Sequence, residues 1–267
     1  MITIDTHCHI GKSENSGGGG IDGDALIHGM DRYGIAAAIV LPLPSIEDYE
    51  SQHDLIARFA EKYPGRIFGA VCIRPQVGQE RVYRETKRCV EELGFVAMKF
   101  HPMHHGGSPA SPRGDTIFEV AQEFALPVMS HTGPGAPWSL PSMLIPAARK
   151  YPSVTFIAAH AGMEIYAEDA GVAASVCDNI LLDSAWTSPG ATTRLIRDFG
   201  ASRMMMSTDL PPNNSTETAK WRDLPISDAE RQESLLDMPV RLFKLEQHGF
   251  DRAKLEAQLQ SGAPFGG

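Results

Sequence analysis

Eight short apolar, β-rich runs recur along the chain, at residues 2–5, 35–41, 67–73, 95–100, 126–130, 154–159, 179–183 and 203–207. Between them lie longer segments with the apolar spacing of amphipathic helices, as at 54–62, 79–92, 116–124 and 192–199. Strand alternates with helix throughout, which implies parallel strands joined by helical crossovers. Eight such units in about 210 residues predict a (β/α)8 barrel rather than an open doubly wound sheet. No GxGxxG follows the first run, which also counts against a dinucleotide-binding sheet. From Ser227 a further helical pattern runs to about Gln247 and another to Gln260, suited to covering the barrel bottom or a neighbouring subunit. The whole of 1–267 reads as a single α/β domain. Glycines 17–20 form one low-complexity stretch after the first run and read as a mobile linker more readily than as a substrate lid.

Composition narrows the partners. Apolar residues make up 42% and charged residues 21%, ordinary globular usage. With 24 Lys+Arg against 33 Asp+Glu, a net charge of −9 and no basic run interleaved with aromatics, nucleic acid is not an expected ligand. No apolar stretch approaches the roughly 18 to 20 residues of a membrane helix, and no basic-then-apolar leader follows Met1. The expected setting is cytoplasmic, the expected partner a small-molecule substrate, with a homo-oligomer left open. Cys8, Cys72, Cys89 and Cys177 include no CxxC pair and read as reduced core thiols, so any metal must be held by other residues.

Polar residues gather at the predicted strand ends, where barrel enzymes build their sites. His7 and His9 close the first strand two residues apart, so the pleat directs both imidazoles to one side, into the barrel mouth, and Cys8 to the other. His131 ends the fifth strand, His160 the sixth, and Asp209 follows the eighth. Taken singly, each histidine reads as a polar residue capping a strand. Together they form a set that can meet around one borderline divalent ion such as zinc. His28, His53 and His248 fall on helical patterns and read as solvated side chains, while His104 and His105 lie in a loop within reach of a substrate.

These residues sit in segments that resemble the amidohydrolase superfamily. The likeness is specifically to the amidohydrolase-2 group, which includes aminocarboxymuconate-semialdehyde-decarboxylase-like enzymes. The matching stretches are Ile4-Asp5-Thr6-His7-Cys8-His9, Gly94-Phe95-Val96-Ala97-Met98-Lys99-Phe100-His101-Pro102, Pro127-Val128-Met129-Ser130-His131-Thr132-Gly133, Phe156-Ile157-Ala158-Ala159-His160-Ala161-Gly162 and Ser207-Thr208-Asp209. The resemblance implies His7, His9, His131 and Asp209 as ligands of one divalent metal, Zn2+ first and Mn2+ second. It implies His160 as the residue that polarises substrate or moves a proton. Relatives often carry an Asn in the helix after strand eight, where this chain reads Leu236-Asp237-Met238-Pro239. Some superfamily members carboxylate a strand-four lysine to bridge two metals. Lys99, with the same parity as His101, is read instead as a buried-stem lysine that pairs with a carboxylate or binds an anionic substrate. Arg74 is a candidate for anchoring a substrate carboxylate, and Trp138 and Trp186 for walling the pocket.

A divalent ion lowers the pKa of water it binds from about 15.7 to near 7, so hydrolysis of an amide, ester or lactone is the leading expectation. Asp209 would move the proton and His160 would stabilise the oxyanion. Non-oxidative decarboxylation of an aromatic or unsaturated acid is the second expectation, placed behind hydrolysis because the chain looks short for the decarboxylases it resembles. The third is an inactive ligand-binding barrel.

Overall fold

The computed structural model describes residues 1–12, 20–44 and 47–261. Of the glycine run, residues 17–19 lie outside the described residues. The strands are β1 (Thr3–Lys12), β2 (Gly20–Ile21), β3 (Ile35–Pro42), β4 (Ile67–Cys72), β5 (Ala97–Phe100), β6 (Val128–His131), β7 (Phe156–Ala159), β8 (Ile180–Asp183) and β9 (Met204–Met205). Apart from β2, a short antiparallel addition to the end of β1, they pair in parallel in the order β1-β3-β4-β5-β6-β7-β8-β9. The chain downstream of β9 then returns to β1. Thr6 N–H donates to Met206 O at 3.0 Å, Asp209 N–H to His7 O at 2.7 Å and His9 N–H to Asp209 O at 3.1 Å, which closes the ring. The architecture is a (β/α)8 barrel.

Both faces of the strands are buried, and β3, IAAAIVLP, shows why its run reads as continuously apolar. One core lies inside the barrel and includes Ile2, Ile4, Ile39, Ala97, Met129, Ile157 and Met205. The other lies between strands and helices and includes Cys8, Ile10, Val40, Val71, Phe100, Val128 and Phe156. Caps fix several helix starts: Asp22 accepts from Asp24 N–H, Ser188 from Ala191 N–H, and Ser227 forms a reciprocal capping box with Glu230. After Ser227 the tail contributes Leu236, Met238, Val240, Phe243, Leu245, Phe250 and Leu255 to the inner core. Of its two expected placements, the tail therefore takes the one against its own barrel.

The first and last barrel strands differ from expectation. β1 continues past residue 5 to Lys12 because its polar residues keep their ladder bonds on both sides, whereas β9 shrinks to two residues. Within β1 the register against β3 slips between Asp5 and Cys8, which face Ala38 and Val40. Such a bulge reverses side-chain parity. Ile2 and Ile4 point into the barrel, but Cys8 and Ile10 point to the outer core. Simple alternation from Ile4 would have sent His7 and His9 outward; the bulge brings them in. No helix among the described residues is long and apolar enough to cross a membrane.

Candidate metal centre

His7 and His9 are buried, and each ring has one nitrogen committed. His7 Nδ1 donates to Asp183 Oδ2 at 3.0 Å, and His9 Nδ1 to the carbonyl of Pro42 at 3.0 Å. With the proton fixed on Nδ1, each Nε2 presents a bare lone pair. These two atoms face each other at 3.1 Å. Asp209 Oδ1 stands 3.6 Å from the first and 3.5 Å from the second. Three acceptor atoms turned toward one point in a buried pocket form an arrangement that calls for a cation. At present one is supplied by Lys99, whose Nζ donates to His7 Nε2 at 2.8 Å.

Electrostatics agree with the donor set. Burial holds the His7 imidazole well below its ordinary range, with Lys99 acting in the same direction, and brings His9 down to about 4. Burial likewise lowers His160 to about 4 and His131 to about 2. The rings are therefore neutral, as ligation requires. Burial pushes the Asp209 carboxyl up, but the positive charge that His160, His7 and His9 take on in acid, together with Lys99, outweighs it and holds the group far below the usual carboxylate range. Burial depresses Lys99, opposed by Asp209.

Among the described residues, His7, His160 and Asp209 place ligand atoms within 4.8 Å of one another. His160 Nε2 is 4.0 Å from Asp209 Oδ1, and its buried Nδ1 has no hydrogen-bond partner among the described residues. His131 stands further out, its ring 5.1 Å from that of His160 and stacked on His101 at 4.2 Å with an interplanar angle of 8°. His9, Lys99, His101, His104, His131, His160 and Asp209 line one cavity of about 230 Å³, closed by Leu43, Pro44, Met163 and Leu210. Two imidazoles whose protons are committed on Nδ1, a carboxylate and a third imidazole fit a divalent ion of the zinc or manganese kind.

Other expected site residues are placed elsewhere. Arg74 pairs with Glu47 at 3.0 Å and does not line the cavity. Trp138 is also outside the lining, its indole N–H donated to Pro102 O at 3.1 Å. His105 is buried behind the site, where its Nδ1 accepts from His101 N–H at 3.2 Å. His53, expected to be solvated, is fully buried: its Nδ1 donates to Glu85 at 2.7 Å and its Nε2 accepts from Cys72 N–H at 3.0 Å. The helical pattern around His53 does not reveal which face of the helix it occupies. His28 and His248 are exposed, and the four cysteines are free and buried.

Three further groups complete the site. Asp183 ends β8 and, besides His7, accepts at Oδ1 from His160 N–H (3.0 Å), Ala185 N–H (3.1 Å) and the Ser207 hydroxyl. Asp5 accepts from His7 N–H (3.1 Å), Thr208 N–H (3.0 Å) and the Thr208 hydroxyl. Trp186 donates its indole N–H to Asp209 Oδ2 at 2.9 Å. The signal for Asp183 was its position: a carboxylate at a strand's C-terminal end, the same argument that selected the histidines. Backbone strain marks the site as well, with φ of 69° at His160, 40° at Ala161, 66° at Trp186 and 64° at Asp209.

A family model described as amidohydrolase (Amidohydro_2) matches residues 4–245. No curated protein matches the chain. Among solved structures, 2,6-dihydroxybenzoate decarboxylase from Rhizobium is similar at 17% identity and a TM-score of 0.74, over 92% of this chain and 99% of that one. A dihydroxybenzoic acid decarboxylase from Polaromonas sp. JS666, with bound manganese and 2-nitroresorcinol, is similar at 19% identity and a TM-score of 0.75, over 95% and 98%. The 5-carboxyvanillate decarboxylase of Novosphingobium aromaticivorans, complexed with manganese and a nitrobenzoic acid, is similar at 18% identity and 0.73, over 91% and 96%. At these identities the likeness is one of fold.

Proposed function

The chain belongs to the amidohydrolase family, and from that premise we propose that it is a divalent-metal-dependent enzyme that decarboxylates a small aromatic or unsaturated carboxylic acid without oxidation. The observation that carries this reading is the placement of Lys99, a cation buried beside the acceptor set in a cavity whose lining it shares with the stacked imidazoles of His101 and His131. An anionic, planar substrate satisfies both features. The solved decarboxylases with the same fold support it, two of them holding manganese. That favours Mn2+ over Zn2+ as the single ion. Chain length does not argue against this reading, since the match spans 99% of the Rhizobium decarboxylase.

His7, His9 and Asp209 would hold the ion, with His131 and His160 as the neighbouring candidates for a further bond. When bound, the ion supplies positive charge that fixes a carboxylate and its electron-rich neighbours in one orientation. Lys99, which gives up its bond to His7 Nε2 where that atom takes the ion, adds a second positive contact to the acid. Leu43, Pro44, Met163 and Leu210 exclude water from one side. A proton taken from solvent is passed across the Asp209–His160 pair, 4.0 Å apart, to the carbon that bears the carboxylate, and the pair ends the step as it began it, carboxylate and neutral imidazole. The carbon–carboxylate bond then breaks, its electron pair remains with the carbon skeleton and carbon dioxide leaves.

The experiment is a substrate screen on protein stripped by chelation and reloaded with Mn2+ or Zn2+. Dihydroxybenzoates, carboxyvanillate, lactones and amides are each followed for carbon dioxide and for released acid. Carbon dioxide in step with loss of the carboxylate is expected. Acid release without carbon dioxide would replace this reading with hydrolysis, the first sequence-level expectation. Turnover that survives complete metal removal would overturn the metal requirement.

A further inference from the structure

The two oxygens of Asp209 keep different company. Oδ1 faces His7, His9 and His160 at 3.6, 3.5 and 4.0 Å. Oδ2 turns away and accepts the indole N–H of Trp186 at 2.9 Å. Burial of the ring does not explain why Trp186 sits there, because the residue is 42% exposed. Its backbone occupies the left-handed region at φ 66°, a conformation bulky residues adopt only when their surroundings impose it.

The surroundings that impose it come from one helix, Asn214–Asp223. Glu217 Oε1 accepts Trp186 N–H at 3.2 Å, and Lys220 Nζ donates to the carbonyls of Ser184 at 2.7 Å and Thr187 at 3.1 Å. Glu217 and Lys220 form a buried ion pair at 2.6 Å. Trp221 Nε1 donates to Ser184 Oγ at 2.8 Å. The turn 184–187 is thus gripped on both sides of Trp186. Burying an ion pair is a poor way to gain stability. Its effect here is to hold a strained turn so that one N–H meets one carboxylate oxygen.

We infer that Trp186 is a positioning residue that ties up Asp209 Oδ2, so that the carboxylate offers only Oδ1 to a bound ion, with the Glu217–Lys220 pair as its fixed support. This rests on the metal-dependent part of the proposed function and is independent of which bond the enzyme breaks. A carboxylate with both oxygens available can close on a cation through either or both. One oxygen engaged by an indole removes that freedom and fixes the plane of the group toward His160.

The test uses metal-free full-length protein titrated with Zn2+, an ion with no paramagnetic quenching of its own. Uptake is followed in parallel by calorimetry and by tryptophan emission. Wild type should bind one equivalent with a change in emission, because the indole of Trp186 shares Asp209 with the ion. Trp186→Phe, at a half-exposed position, should fold with unchanged circular dichroism and still bind Zn2+. It should lose the emission change and shift the Zn2+ dissociation constant several-fold. In the loaded enzyme, kcat should fall about tenfold with KM little altered, the pattern of a misaligned group rather than lost substrate binding. Unchanged Zn2+ affinity together with a persisting emission change in Trp186→Phe would overturn the inference. Failure of wild type to bind Zn2+ or Mn2+ would instead strike the metal reading itself.

Discussion

Asp183 reaches from β8 to the first barrel strand and holds His7 Nδ1 at 3.0 Å through Oδ2, while Oδ1 takes the backbone N–H of His160 at 3.0 Å. One carboxylate therefore sets the tautomer of a candidate ligand and the strained backbone under the candidate proton-transfer residue. Asp183→Asn separates the two roles. The amide oxygen can keep the Oδ1 partners, but its NH2 then meets the N–H of His7, and the ring must move its proton to Nε2 to accept. Metal affinity should fall by about 10- to 100-fold, the range for losing a group that orients a metal-bound histidine. Calorimetric titration with Mn2+ checks this, and affinity equal to wild type would show that His7 is not a ligand through Nε2.

The barrel and the gathering of His7, His9, His131, His160 and Asp209 at one mouth were legible because strand ends in a parallel barrel share one face. The parity of β1 was legible only in part. Alternation places His7 with His9, but their inward direction depends on the bulge between Asp5 and Cys8, which no local residue pattern announces. The ranking of ligands was not legible. His160 lies within the tight group on a left-handed turn at His160 and Ala161, a conformation uncommon for either residue type, while His131 stacks on His101. Trp186 reads from sequence as a pocket wall; its bond to Asp209 depends on Glu217 and Lys220, a helix away in the chain.

The buried imidazoles predict acid sensitivity. Burial brings His9 and His160 down to about 4, His105 to about 3 and His131 to about 2, against an ordinary value near 6.5. Below pH 6.5 the unfolded chain takes up protons at these positions while the folded chain does not. Stability is thus intact above pH 6.5 and falls as the pH drops from there toward 4. Each ring contributes up to about 1.4 kcal/mol per pH unit across that window. Urea unfolding of metal-free protein at pH 7, 6, 5 and 4.5 should show a steep progressive loss. A flat profile above pH 5 would mean these rings are not held neutral and buried.

Lys99 places a positive charge against the atom expected to bind a positive ion. At about 4 Å and an effective dielectric near 20, two unit charges interact by about 4 kcal/mol, although burial lowers the pKa of Lys99 and relieves part of this. Lys99→Met keeps the buried stem and removes the competitor. Metal should bind at least tenfold more tightly, while KM for an acid substrate rises by a similar factor because its second positive contact is gone. Metal analysis and steady-state kinetics on the same preparation check both. Weaker metal binding in this variant would show that Lys99 supports the ion rather than opposing it.

Asp209→Asn forces a choice that the native carboxylate avoids. The carboxylate has an acceptor for Trp186 and another for the ligand group, 2.9 Å and 3.5 to 3.6 Å away. The amide has a single acceptor oxygen. Keeping the indole bond turns the NH2 toward His7 and His9, which repels a cation; turning the oxygen inward leaves the NH2 facing an indole N–H. Either way metal should bind less tightly, and turnover should fall by about 10² to 10⁴ through loss of the proton-transfer group. Adding Trp186→Phe removes the conflict, since the amide oxygen is then free to face the ion. The double variant should regain metal affinity relative to Asp209→Asn alone while its turnover stays low, a coupling that a metal titration of the four proteins in a double-mutant cycle reads directly. Strictly additive affinities across that cycle would show that the 2.9 Å bond does not govern how Asp209 meets the ion.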